Sequence, residues 1–239
     1  MNRIAAGSGE SPPGPPVRFK GRSRNGAFGH GGLQVQSLKP FRVAIIVLLL
    51  VLVTGGVSAQ TLREGDLIFH TSQSGQSKVI RLVTQSPLTH VGILVQGPSG
   101  LIVIEAVGPV KLTPLQQFIA RGEGKKYLVK RLRGGLQAGQ IENMRKVGSR
   151  FLGLPYDPLF QWDDQHLYCS ELIWKVYQRG AGVRLGEPQR FSDLNLSSPQ
   201  AQQLLRERLG PTRVDGGEFI VTPAALAACS RLVTVVNHF

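Results

Sequence analysis

The chain has 239 residues, with 28 Lys and Arg against 15 Asp and Glu, a formal net charge of +13. Two cysteines exclude a disulfide scaffold, and neither lies in a C-x-x-C pair or at zinc-ligand spacing, so neither a metal site nor a cofactor is expected. A hydrophobic fraction of 41% excludes wholesale disorder, and nucleic acid would be the first candidate partner only if the charge were evenly spread.

It is not evenly spread. Residues 1–42 hold seven basic residues and one acid, with eight Gly and five Pro, too little apolar surface to offset the entropy of ordering. They read as a disordered basic leader. Val43–Val53 is an uninterrupted apolar run of eleven residues, followed by small residues at Val57 and Ala59. A basic region, a short apolar core and small residues are the layout of a signal peptide, so 43–59 reads as its core and cleavage region, with cleavage after Ala59. Eleven residues is short of the roughly 20 that span a bilayer. No charge falls between Arg42 and Arg63, however, so membrane association through 43–62 is the alternative to a periplasmic or secreted product. The remaining 60–239 carries a net +7 and suits one domain.

Within it, Gly65–His70 reads as a strand and Ser77–Gln85 as a short helix before Pro87. Thr89–Gln96 and Leu101–Val107 flank Gly97-Pro98-Ser99-Gly100 and form a hairpin. Thr113-Pro114 opens a helix, with Thr113 as N-cap, Leu115, Phe118 and Ile119 on one face, and Gly122 past the end. Tyr127–Leu132 is a strand. Helices follow over Gln140–Leu152, over Leu167–Arg179 with Gly180 past its end, and around Gln200–Arg208. A short helix begins at Thr222-Pro223, and Leu232–Val236 is a last strand. Without a βαβ rhythm the class is α+β, a small antiparallel sheet packed against helices.

Three residues carry the chemistry. With the hairpin centred between Pro98 and Ser99, His90 falls opposite Val107 and Glu105 is its diagonal neighbour on the same face. A carboxylate there holds the imidazole's tautomer and favours its protonated form. An outward-facing Glu105 is the plain alternative, and a one-residue slip would separate the pair. Cys169, in Tyr168-Cys169-Ser170-Glu171, falls in the first turn of a helix, where backbone N–H groups and the dipole favour a thiolate and a tetrahedral oxyanion.

The remaining candidates have simpler readings. Cys229, in an alanine-rich helix, is expected in the core, and pairing it with Cys169 would consume the thiol. His70 and His166 read as surface or loop residues, and Asp66 as a local turn acceptor. Glu171 favours the helix dipole but opposes a thiolate unless bonded elsewhere. Lys125, Lys126, Lys130, Arg131 and Arg133 read as a solvated edge strand, with a dock for an anionic glycan or lipid as the functional alternative. No aromatic residues interleave with the basic ones as base stacking would require, so no nucleic-acid partner is expected.

Gly65-Asp66-Leu67-Ile68-Phe69, Thr89-His90-Val91-Gly92-Ile93, Ile104-Glu105-Ala106, Tyr156-Asp157 and Tyr168-Cys169-Ser170-Glu171-Leu172 follow one another in that order. Together they resemble the YiiX/YebB-like proteins, circularly permuted relatives of the NlpC-type papain-like amidases, in which His precedes Cys. The resemblance extends from about Glu64 to Val236. It implies a circularly permuted papain-like fold, with Cys169 as nucleophile, His90 as general base, Glu105 as the orienting third residue and Tyr168 lining the oxyanion site. It further implies an exported cysteine hydrolase working through an acyl-thioester on a peptidoglycan peptide. Related permuted folds make a lipid acyl hydrolase or acyltransferase the second reading, and an inactive envelope-binding module the third.

Overall fold

The computed structural model describes residues 61–196, 198–209 and 216–239. The expected leader and export segment lie outside the described residues. Six strands form one sheet in the order β4-β3-β2-β1-β5-β8, every neighbouring pair antiparallel. They are β1 (Leu67–His70), β2 (His90–Gly97), β3 (Gly100–Ala106), β4 (Val110–Pro114), β5 (Leu128–Leu132) and β8 (Leu232–Asn237). A separate two-stranded ladder joins β6 (Gln189–Arg190) to β7 (Phe219–Ile220). The helices are α1 (Gly75–Thr84), α2 (Leu115–Arg121), α3 (Ala138–Phe151), α4 (Cys169–Val176), α5 (Pro199–Leu209) and α6 (Pro223–Ala228). The fold is thus α+β, as the element pattern implied, and among the described residues no helix is long and apolar enough to cross a membrane.

Alternation along the central strands divides the core. Leu67 and Phe69 of β1 pack with Val91 and Ile93 of β2 and with Leu172, Ile173 and Val176 of α4. Burial of each such side chain is worth about 1.5–3 kcal/mol. Ile68, Leu94 and Val103 point the other way and meet Phe118 of α2. The β2–β3 register pairs Gly97 with Gly100 and Ile93 with Ile104; continued, it sets Val107 across from His90, as the two-residue turn requires. Past Val176 the α4 helix widens into a π-type turn over Tyr177–Ala181 and stops at Gly182, in the left-handed region at φ 69°, two residues later than expected.

Three expectations are corrected. Thr113 does not cap a helix. Val110-Lys111-Leu112-Thr113 alternates as a strand should, and Thr113 is a buried residue of β4. The basic segment is not an edge either, because β5 lies between β1 and β8 and its Arg131 makes two 2.7 Å bonds to the buried Asp66. Asp66 also accepts from the Arg63 N–H at 2.8 Å, the turn contact expected of it. Cys229 ends α6 half-buried at the margin of the core, and both cysteines are free.

Gly92 is the position on which this packing turns. A Cβ there would stand 2.3 Å from Val103 Cγ1 and 3.2 Å from Phe118 Cε2. The glycine therefore makes room for Phe118 on the face that carries Glu105. Gly92→Ala should lower unfolding stability by about 1–3 kcal/mol, read as a reduced urea midpoint with an unchanged slope; an unaltered midpoint would contradict the close packing.

Candidate active site

Four elements converge at one end of the sheet. His90 opens β2, Glu105 and Thr113 are next to last in β3 and β4, and Cys169 begins α4. The α4 helix packs on β2 and β3, which fixes the height of its first turn against His90. That turn is held by a Ser170 hydroxyl bond to the Val221 carbonyl at 2.7 Å, and the far end of the helix by the Tyr177 hydroxyl on the Gly65 carbonyl.

Glu105 is fully buried, yet both its oxygens are occupied. Its Oε2 lies 2.7 Å from His90 Nε2. Its Oε1 accepts from the Thr113 hydroxyl at 2.5 Å and from Arg121 Nη2. Burial alone would raise the carboxyl, but these donors outweigh it and hold it at about 2. Nε2 being taken, Nδ1 is the ring nitrogen left for Cys169, which lines the same cavity as His90. Burial works against the imidazolium, while the charge and hydrogen bond of Cys169 and those of Glu105 raise it to about 9. Cys169 shows the converse balance. Burial pushes the thiol up, but the His90 charge and hydrogen bond, with a backbone bond from Val91, bring it below its ordinary value. The arrangement favours a thiolate–imidazolium pair over two neutral groups.

Glu171, in the same first turn of α4, is bonded elsewhere. It meets Lys175 Nζ at 2.7 Å and accepts from the Tyr168 N–H at 3.4 Å. Lys175, itself buried, also contacts Asp164 at 2.9 Å. Burial raises the Glu171 carboxyl to about 8 against the pull of Lys175, so little negative charge opposes the thiol from that side.

A cavity of about 160 Å³ opens beside Cys169 and His90. Ser77, Thr89, Tyr156, Phe160, Tyr168 and Val221 are among its walls. Ser77 Oγ donates to Thr89 Oγ1 at 2.5 Å, and the Tyr168 hydroxyl accepts from the Val221 N–H at 3.2 Å. Tyr168 therefore ties the 219–223 wall to the start of α4. The size is close to the roughly 150 Å³ cavity that holds a benzene molecule.

Sequence reasoning passed over three residues here. His70, expected on the surface, is buried with its ring stacked on Phe118 at 4.4 Å and 5.1 Å from that of His90. Burial first, then the charges of His90 and Arg121, hold it neutral, with a pKa of about 3. Thr113 and Arg121 were the others. The alternation of residues 110–113 was a usable signal for Thr113; nothing local marks Arg121, which reaches Glu105 across the sheet edge. His166 is exposed, as expected.

Residues 61–236 match a family model described as permuted papain-like amidase enzyme, YaeF/YiiX, C92 family. Among curated proteins, the uncharacterized protein YiiX of Escherichia coli strain K12 is 43% identical over 194 residues, covering 81% of this chain and 96% of its own. A crystal structure of metalloprotein yiiX from Escherichia coli O157:H7 superposes with a TM-score of 0.70 at 45% identity, over 73% of this chain and 97% of that one. Among the described residues here, no group of three or more His, Cys, Asp or Glu could hold a metal ion. Glu105 and Glu171 are already bonded to Thr113, Arg121 and Lys175, so these two carboxylates do not fit such a centre.

At pH 7, Cys169 should react with iodoacetamide at least about tenfold faster than Cys229 despite its deeper burial, and His90→Ala should abolish that preference. Peptide mapping by mass spectrometry reads both rates, and equal rates in the parent would contradict the ion pair. Glu105 also sets an acid dependence. Its folded value of about 2 lies below the unfolded value of about 4.3, so its stabilisation is complete above the unfolded value and is lost as pH falls through the folded one. The urea midpoint of Glu105→Gln should accordingly fall less steeply across that interval than the parent's.

Proposed function

The chain belongs to the permuted papain-like amidase family, YaeF/YiiX, and from that membership we propose that it is a cysteine hydrolase cleaving amide bonds through an acyl-thioester on Cys169. One observation supports the reading: a thiol at the start of a helix lines the same cavity as an imidazole whose Nε2 lies 2.7 Å from a buried carboxylate. The thiolate attacks the carbonyl carbon, and the N–H groups of Cys169 and Ser170, which have no partner within the helix, face the developing oxyanion. Each such donor supplies about 3 kcal/mol of transition-state stabilisation. Tyr168, whose hydroxyl oxygen accepts from Val221 and keeps its own proton to donate, lines the same site.

His90 then gives its proton to the leaving amine, which departs as the C–N bond breaks. With the imidazole neutral, it takes a proton from a water that attacks the thioester. The acid leaves and the thiol is restored. Glu105 holds the ring and stabilises its cation without exchanging a proton. The substrate is an amide of a cell-wall peptide, reached in the envelope after export through residues 43–59.

The purified 60–239 chain and its Cys169→Ala variant, incubated with peptidoglycan fragments and with phospholipid vesicles, should separate the readings by mass spectrometry. Peptide products from the parent, reduced at least about a thousandfold in the variant, support the proposal. Release of fatty acid instead would move the activity to lipid esters, and equal activity in both proteins would remove Cys169 as nucleophile.

A further inference from the structure

We propose that Arg121 is a positioning residue that acts through Glu105, balancing the charge of the site so that a thiolate on Cys169 and an imidazolium on His90 coexist with an ionised Glu105. The inference rests on the cysteine-hydrolase reading above and adds a fourth member to its machinery.

Arg121 is the last residue of α2. Its guanidinium carbon passes 5.7 Å from the Phe118 ring centroid on the way to Glu105. It approaches end-on, giving Nη2 to Oε1 while Oε2 is left to His90. Its Nε is buried without a hydrogen-bond partner. An arginine placed to satisfy its own donors would present the fork, two parallel bonds to both oxygens. Here one bond is made and the second oxygen stays free for the imidazole, so the charge is delivered without displacing His90.

The groups around Cys169 come from every neighbouring element. His70 on β1 stays neutral, and a third cation beside His90 and Arg121 is part of what keeps it so. From the segment before α4 come Tyr156, raised chiefly by burial, and Asp157, whose carboxyl burial also pushes up. From α4 come Tyr168, raised chiefly by burial, and Glu171, tied to Lys175. The charges linked through Glu105 are Cys169, His90, Glu105 itself and Arg121, two negative and two positive. Removing Arg121 leaves one uncompensated negative charge around a carboxylate that has no exposure. That charge disfavours the thiolate and strengthens the hold on the imidazolium proton, so both ionisations move to higher pH.

The test is the pH dependence of iodoacetamide alkylation at Cys169, in a Cys229→Ser background so that one thiol is read. The parent should show a reactive plateau spanning neutral pH. In Arg121→Gln, a neutral donor, both limbs should rise by about one pH unit or more. In Arg121→Lys, which restores charge without the guanidinium, they should return most of the way. Thr113→Val removes a neutral donor from the same oxygen and should move the limbs less than Arg121→Gln. Lys111→Met removes an exposed charge from the residue paired with Glu105 across β4 and should leave them in place.

Circular dichroism checks that each variant is folded; if Arg121→Gln is not, Arg121→Met replaces it in the comparison with lysine. Limbs unchanged in the neutral variants, or no difference between them and Arg121→Lys, would overturn the inference even where turnover falls. A parent whose Cys169 titrates like a free thiol would instead overturn the cysteine-hydrolase reading.

Discussion

A carboxylate with no exposure governs this molecule. Removing an unpaired charge from water costs several kcal/mol even after the protein relaxes, so Glu105 is tolerable only where donors meet both its oxygens. Those donors come from β2, β4 and the end of α2. The hairpin register must therefore be the one observed, β4 must add to the sheet edge, and α2 must lie across the outer face with its last residue within reach. A slip of one residue between β2 and β3 would put His90 and Glu105 on opposite faces and break the first of these. The polar cluster thus specifies the fold of that edge as strongly as the apolar residues around it do.

The thiol depends on the same constraint at one remove. Cys169 lines one cavity with an imidazole that is itself anchored on Glu105, and burial on its own would favour the neutral form of both groups. The opposite side of α4 handles its charges separately. Lys175, Glu171 and Asp164 form a compact pair-and-bridge that ties the segment before the helix to its second turn. Keeping the two charge clusters apart leaves the field at the sulfur set chiefly by the sheet side. His70, close to His90 but uncharged, is consistent with a site that already holds its two cations.

Much of this was legible beforehand, for identifiable reasons. The short turn at Pro98-Ser99 sets the hairpin register by geometry, and with it the pairing of His90 and Glu105. Cys169 at a helix start follows from the apolar spacing of Leu172, Ile173 and Val176. What stayed hidden depends on partners distant in sequence. Arg131 is basic on paper, yet its strand is internal because the last strand pairs beyond it and Asp66, 65 residues earlier, receives its charge. His70 lies in a strand whose burial is decided by α2, which the sequence places but does not dock. Arg121 carries no pattern at all; its meaning appears only when β4 brings the end of α2 to Glu105. Thr113 was misread because a threonine before a proline satisfies a capping rule and a strand's alternation equally well, and the edge of the sheet decided for the strand.

The chain order of the site has a consequence for synthesis. His90, Glu105, Thr113 and Arg121 all precede Cys169, so β1 to β5 leave the ribosome before the helix that bears the sulfur. Until α4 docks, Cys169 has neither burial nor an imidazole beside it and behaves as an ordinary thiol near its unperturbed value. The surroundings that lower this thiol therefore assemble late, with the packing of one helix.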